Sequence, residues 1–292
     1  MNSLPGYLKK LNLWAAILHG VSFLAVMIVF LTLRDGKINF PTSLWRLKTE
    51  AVSDDNMEFT KMGAKRQLVI EGGYLRAGVL LTFALTCIAH IFYYTDGFGS
   101  GAYSNQLRQG KNDFRWLEYA ITATIMILVL ASISAVKNTK VYFILAIMNI
   151  VLQGIGNLGE NAANFQTKIV SLIVGFLLLG ATWYGILDSF YNALDDSEDL
   201  PNREGPPDWV RGIIIPMFVW WLSFGIVAFV QTLNYRKAGY NYEKYEMGYI
   251  ILSYLSKAFM GYYLAFGLTR DAPDVKKDNG EDNGEEDKKV ET

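Results

Sequence analysis

Lys257 limits what this chain can fold into more than any other residue. It stands in the middle of the last apolar stretch, which runs from Met247 to Thr269 as MGYIILSYLSKAFMGYYLAFGLT. As a helix that stretch is long enough to cross a hydrocarbon core of about 30 Å. Counted from Met247 at about 1.5 Å per residue, the lysine lies roughly 15 Å deep. A lysine near a helix end snorkels to the headgroups, but one at the midpoint does not reach them easily. Placing it there costs about 2.5–3.5 kcal/mol on insertion scales, so it needs a partner or a chemical task. Two readings follow: a structural ion pair inside a bundle, or an amine that condenses with an aldehyde to a Schiff base.

The rest of the chain has the same character. Seven stretches pass the length test for a membrane helix, near 11–33, 73–95, 114–136, 141–159, 169–192, 212–234 and 247–269. Half of all residues, 51%, are hydrophobic, and long apolar runs alternate with short polar loops too regularly for a soluble fold. The expectation is one all-α membrane domain over 1–269, a seven-transmembrane-helix bundle, followed by a charged tail at 270–292 with the composition of a disordered segment. The first apolar run is too long for the core of a cleavable signal peptide, and no small-residue cleavage site follows it. One long connection, about 34–71, separates the first two spans. It has room for β structure, in Lys37–Arg46 as an extended segment and in Arg66–Glu71 as a strand. A loop of that length serves as a lid or a dimer contact, or is plain variable loop.

Polar residues inside the spans mark the candidate site. His19 and His90 are the only histidines. Each reads as a hydrogen-bonded core residue, or the two share a polar cavity. With no cluster of further ligands, no metal site is expected. Arg115 and Glu118 open the third span three residues apart and share a helix face with Thr122. Glu118 either balances a positive group in the core or sits as a helix-start carboxylate. Asn149 and Gln153 follow the same spacing in the fourth span, which ends in a glycine-rich run closing on Glu160. Asp188 near the end of the fifth span reads as an interfacial cap or a proton site. Of the pair Trp220 and Trp221, at most one faces the interior. The lone Cys87 reads as a packed small hydrophobe. No nucleophile–base pair is seen, so an enzyme is not expected, and no basic patch points to nucleic acid. With the N-terminus inside, one side carries Lys9, Lys10, Arg108, Lys111, Lys168, Arg236, Lys237 and Lys244, and the short loops of the other carry Lys137, Lys140, Arg203 and Arg211. That excess favours an inside N-terminus and an outside C-terminus.

Several segments together resemble the heliorhodopsins. FRWLEYAITATIM at 114–126 is similar to their third-helix signature, and Tyr249–Lys257 to their seventh-helix motif. Gly212 and the following isoleucines with Ser223 and Phe224 resemble their sixth helix. Asn12 to His19 and Ala89–His90 fall where that family carries two buried histidines, and Asn149 with Leu158–Glu160 resembles the fourth helix. The resemblance spans most of 10–269. It implies a rhodopsin-like bundle with all-trans retinal on Lys257 as a protonated Schiff base, Glu118 as counterion, and a proton cavity at His19 and His90. It places Tyr119, Thr122, Met126, Asn149, Leu152, Trp220, Trp221 and Ser253 around the chromophore. It also implies a homodimer, an extracellular first loop with β structure, a topology inverted relative to ordinary microbial rhodopsins, and a light sensor with a slow photocycle in the plasma membrane. The chain departs from the family at Ala120, Thr122, Ala123 and Thr124, at Trp221, and at the extra polar residues Gln153 and Asp188. Arg115, Glu160 and Asp188 therefore form a candidate proton path, and a light-activated proton channel or transporter is the alternative to a sensor.

Overall fold

The structure is a computed structural model that describes residues 4–32, 40–45, 64–70, 72–136, 138–199, 206 and 208–270. The expected tail, most of the long first loop and Arg203 lie outside the described residues. Seven long helices and one short one are present among them. They are α1 (Gly6–Thr32), α2 (Gly72–Tyr94), the short α3 (Ala102–Arg108), α4 (Asp113–Ile133), α5 (Thr139–Asn161), α6 (Phe165–Asp199), α7 (Asp208–Asn234) and α8 (Tyr242–Arg270). In lipid every backbone N–H and C=O must be satisfied within the segment, and a helix does this. Asn112 and Asn138 cap α4 and α5, their side chains accepting from the backbone N–H groups of Arg115 and Lys140.

The long helices close a ring. α1 packs on α2, α2 on α4, then α5, α6, α7 and α8 follow in order, and α8 returns to α1. The outward residues are apolar: Ile28 is 59% and Leu31 76% exposed. Six helices are apolar enough throughout to be recognised as spans by composition. The seventh, α8, falls short because tyrosines, serines, Glu246 and Lys257 interrupt it. Its polar residues Glu246, Ser253, Ser256 and Lys257 are all buried, so the helix is lipid-compatible outside and polar within.

The two halves of the bundle differ. At the end where α1 finishes, the interior is an apolar core built from Val26, Phe30, Leu75, Val79, Leu130, Ile133, Trp183, Ile213, Leu264 and their neighbours. At the end where α1 begins, a smaller core of Leu4, Leu8, Tyr93, Tyr103, Leu107, Tyr242 and Ile250 seals the bundle. The short α3 supplies Tyr103 and Leu107 to that seal. It is delivered by a tight turn in which Gly97, Gly99 and Gly101 all have positive φ. Between the two cores lies a polar layer. The described part of the first loop is an antiparallel pair, β1 (Phe40–Trp45) with β2 (Ala64–Ile70), with a bulge at Leu44/Trp45. The two segments expected to be extended are thus the two strands.

Candidate functional site

Lys257 is buried in the polar layer, 3% exposed. Its Nζ donates to Ser253 Oγ at 2.7 Å, one turn earlier on α8, and lies 3.2 Å from Glu118 Oε1 on α4. Glu118 Oε1 also accepts from Thr86 Oγ1 of α2 at 2.8 Å and from Thr122 Oγ1 at 3.1 Å. Helix spacing explains the convergence. Thr122 follows Glu118 by four residues and Lys257 follows Ser253 by four, so each pair shares a face. The Tyr119 ring lies 4.9 Å from Nζ, and its hydroxyl donates to the carbonyl of Tyr249 at 3.2 Å. A lone buried ammonium is costly; here a carboxylate, a hydroxyl and an aromatic face surround it.

A cavity of about 160 Å³ begins at Lys257 and Ser256 and runs between α4, α5, α6 and α7. Tyr119, Met126, Leu152, Phe176, Trp221 and Phe224 wall its apolar part. Trp221 meets Trp183 edge to face at 5.9 Å. Its neighbour Trp220 is partly buried against the core without lining the cavity, as expected for adjacent residues on one helix. Asn149 lies behind the wall. Its Nδ2 donates to Thr124 Oγ1 at 2.8 Å, and its Oδ1 accepts from Gln153. The cavity's other end carries Glu160, Lys168, Gln231 and Tyr235.

His19 and His90 face each other across α1 and α2, their rings nearly parallel with centroids 5.6 Å apart. His90 Nδ1 lies 2.8 Å from Asn12 Oδ1. His19 packs edge-on against Tyr254 of α8. Cys87 is half-buried and its Sγ donates to the carbonyl of Ala16, tying α2 to α1.

Arg115 and Glu118 share a face but turn to different partners. The Arg115 guanidinium binds Glu160 Oε1 at 2.6 Å and makes a short ion pair with Glu246. It also donates to the Tyr242 hydroxyl at 3.1 Å and lies over the Tyr249 ring at 3.9 Å. Glu160 accepts in addition from Trp116 Nε1, Gln231 Nε2 and the backbone N–H of Asn112, and Asn112 Nδ2 donates to Glu246 at 2.8 Å. Lys168 turns inward and donates to the carbonyls of Gly159 and Glu160. Asp188 stands apart: it is exposed, on the late part of α6, toward the opposite end from Glu160. The path drawn through Arg115, Glu160 and Asp188 is therefore interrupted by the length of α6.

Sequence reasoning passed over Glu246, Thr86, Tyr103 and Asn12 as site residues. The signal for two of them was present. Tyr242, Glu246, Tyr249, Ser253 and Lys257 repeat at helical spacing along α8, and Thr82, Thr86 and His90 do so along α2.

The chain as a whole decides the kinship: residues 8–268 match the family model named Heliorhodopsin. This chain belongs to the heliorhodopsin family. Heliorhodopsins are retinal-binding, light-responsive membrane proteins, and this one is a multi-pass integral membrane protein of that kind. No curated protein matches it. Solved microbial rhodopsins share its fold at low identity. The transmembrane domain of the Salpingoeca rosetta rhodopsin phosphodiesterase is 12% identical with a TM-score of 0.60, covering 90% of this chain and 85% of its own. The light-driven proton pump LR (Mac) from Leptosphaeria maculans is 11% identical with a TM-score of 0.63, covering 92% and 96%. Exiguobacterium sibiricum rhodopsin is 12% identical with a TM-score of 0.62, covering 91% and 97%. At these identities the likeness is one of fold, and the heliorhodopsin's function rests on its own residues.

Proposed function

We propose that this heliorhodopsin is a light sensor in which Lys257 carries all-trans retinal and Glu118 balances the charge at its nitrogen. The observation that carries the reading is the buried Lys257 amine, 3.2 Å from Glu118, at the head of an aromatic-walled cavity. The residues fit the group. A linear apolar aldehyde needs an amine at one end and a slot of aromatic and aliphatic side chains beyond it, and Lys257 with Met126, Leu152, Phe176, Trp221 and Phe224 supplies both. Retinal bound there supplies light absorption and a change of shape.

The chain's own residues do the rest. Ser253 and Glu118 hold the proton at the Lys257 nitrogen in the dark. Thr86 and Thr122 fix the carboxylate, so that a small displacement of the nitrogen changes a strong short-range interaction. The apolar core on one side is a barrier to water and protons in that half of the bundle. The polar layer on the other side, with His19 and His90, accepts a displaced proton. A proton confined to one side is moved and returned rather than transported, which favours a sensor. The reading includes a cytoplasmic N-terminus, supported by the loop charges; counting Lys168 as the buried residue it is leaves the sign of that balance unchanged. It also includes a homodimer in the plasma membrane.

Membranes expressing the protein with all-trans retinal should become coloured and show a slow, reversible light-induced absorbance change, and Glu118→Gln should shift or abolish the visible band. A second reading, light-activated proton conduction, is favoured by the buried Arg115–Glu160–Glu246 cluster lying between the polar layer and the bundle end. Voltage clamp separates the two: the sensor gives no sustained photocurrent at any holding voltage or proton gradient, and a steady current removes the purely sensory account.

A further inference from the structure

Three ring nitrogens in the polar layer are buried without a hydrogen-bond partner: both nitrogens of His19 and Nε2 of His90. His90 Nδ1 is different, because a fixed series of donors and acceptors ends on it. Glu246 is ion-paired to Arg115 and accepts from the Tyr103 hydroxyl at 3.2 Å. That hydroxyl has spent its proton and receives the Asn12 Nδ2 group at 3.5 Å, while the same Nδ2 donates to the Leu8 carbonyl at 3.0 Å. The Asn12 amide is thereby oriented. Its nitrogen faces two acceptors, so its oxygen is what remains for His90, 2.8 Å away. An amide oxygen only accepts, so His90 must carry hydrogen on Nδ1. Its Nε2 is then a bare lone pair.

We propose that Asn12 is a positioning residue that locks His90 in the Nδ1–H tautomer and presents Nε2 as the atom that takes the proton released at Lys257. The proposal rests on the light-sensing reading for the release of that proton, but not for the tautomer. In the step, the N–H bond at Lys257 Nζ breaks and its electron pair stays on Nζ. The proton forms a new bond to the lone pair of His90 Nε2. The positive charge passes to the imidazolium, whose Nδ1–H still points at Asn12, and nothing is oxidised or reduced. The charged pair in the same polar layer is Lys257 of α8 with Glu118 of α4, 3.2 Å apart, and the step moves the positive charge from Lys257 to the ring. His19 stacks on one side, and the Tyr93 ring of α2 meets His90 edge-on. His19 shares the polar layer, but no hydrogen bond among the described residues sets its tautomer. The series also links the acceptor through Tyr103 to α3, the short helix that seals this end of the bundle.

With two histidines in the chain, nitrogen-15 NMR of histidine-labelled protein in nanodiscs reads the tautomers directly, and His19→Gln assigns the signals. In the dark, with or without retinal, His90 should show a protonated Nδ1 and a bare Nε2. Asn12→Leu should give a mixture of tautomers. In the retinal-loaded protein the same variant should keep the colour and slow light-driven proton loss from Lys257 about threefold to tenfold, the weight of one hydrogen bond. Asn12→Gln should restore part of both. A protonated Nε2 on His90 in the parent protein overturns the proposal, whatever the variants do. The expected tautomer in a protein that stays colourless with retinal removes the light-sensing reading and the proton step, and leaves the positioning role of Asn12 standing.

Discussion

Arg115→Gln is the sharpest test of how the polar half of the bundle is held. In the intact protein one guanidinium lies between two buried carboxylates, 2.6 Å from Glu160 and in a shorter pair with Glu246. At an effective dielectric of about 20, a pair at that separation attracts by about 6 kcal/mol, against which several kcal/mol of desolvation per ion must be set. The net value of the assembled cluster is therefore small, whereas the cost of breaking it is not. Glutamine leaves two carboxylates facing each other around the Tyr242 hydroxyl, to which both are bonded. Removing one partner of such a group costs about 3–5 kcal/mol. At about 2–4 °C per kcal/mol for a domain of roughly this size, the midpoint should fall by about 6–20 °C. The assay is thermal loss of the visible band in a mild detergent, for Arg115→Gln alone and combined with Glu160→Gln and Glu246→Gln. The triple variant, in which no carboxylate is left to face another, should recover at least half of the loss. A single variant that melts within about 2 °C of the parent, or a triple variant that melts below the single one, would refute the reasoning.

Other consequences are quicker to check. Gly156→Leu should destabilise the α4–α5 contact by about 1–3 kcal/mol, because even a Cβ at Gly156 would run into the Trp116 indole; Gly154→Ala, which meets nothing within 4 Å, should be near neutral in the same melt. Asn112→Ala removes both the cap of α4 and a donor to Glu246, and should cost about 1–3 kcal/mol in thermal stability. Thr86→Val deletes one donor to Glu118, so the absorption maximum should move while retinal binding survives, as read from the spectrum of the purified protein.

The bundle was legible in the sequence because lipid leaves few choices: each apolar run has to be a helix, and all seven expected spans fall on long helices. That Lys257 would need a buried partner was legible for the same reason, since an ion at mid-membrane advertises that need, and Glu118 lies 3.2 Å from it. What the sequence hid was direction. Arg115 and Glu118 share a face by spacing, yet one turns toward Glu160 and Glu246 and the other toward Lys257, because the neighbouring helices offer opposite charges at different depths. Glu246 escaped notice because it stands at the start of α8, where a carboxylate reads as a solvated helix end. Tyr103 belongs to a seven-residue helix in what reads as a loop, and only the folded ring shows that it seals the bundle. Asp188 is the converse: on paper an acid near the end of an apolar run was either an interfacial cap or a proton site, and the turn of α6 leaves it exposed.

The central claim is that one amine, Lys257, bears the chromophore. The cavity offers a real competitor, since Lys168 lines its other end. Retinal-loaded protein should be reduced with borohydride under illumination, digested, and its lysine-containing peptides weighed. The account predicts a retinyl adduct on the peptide containing Lys257 and on no other, with Lys257→Ala carrying none. An adduct on Lys168, or unmodified Lys257 in a protein that is nonetheless coloured, would contradict it.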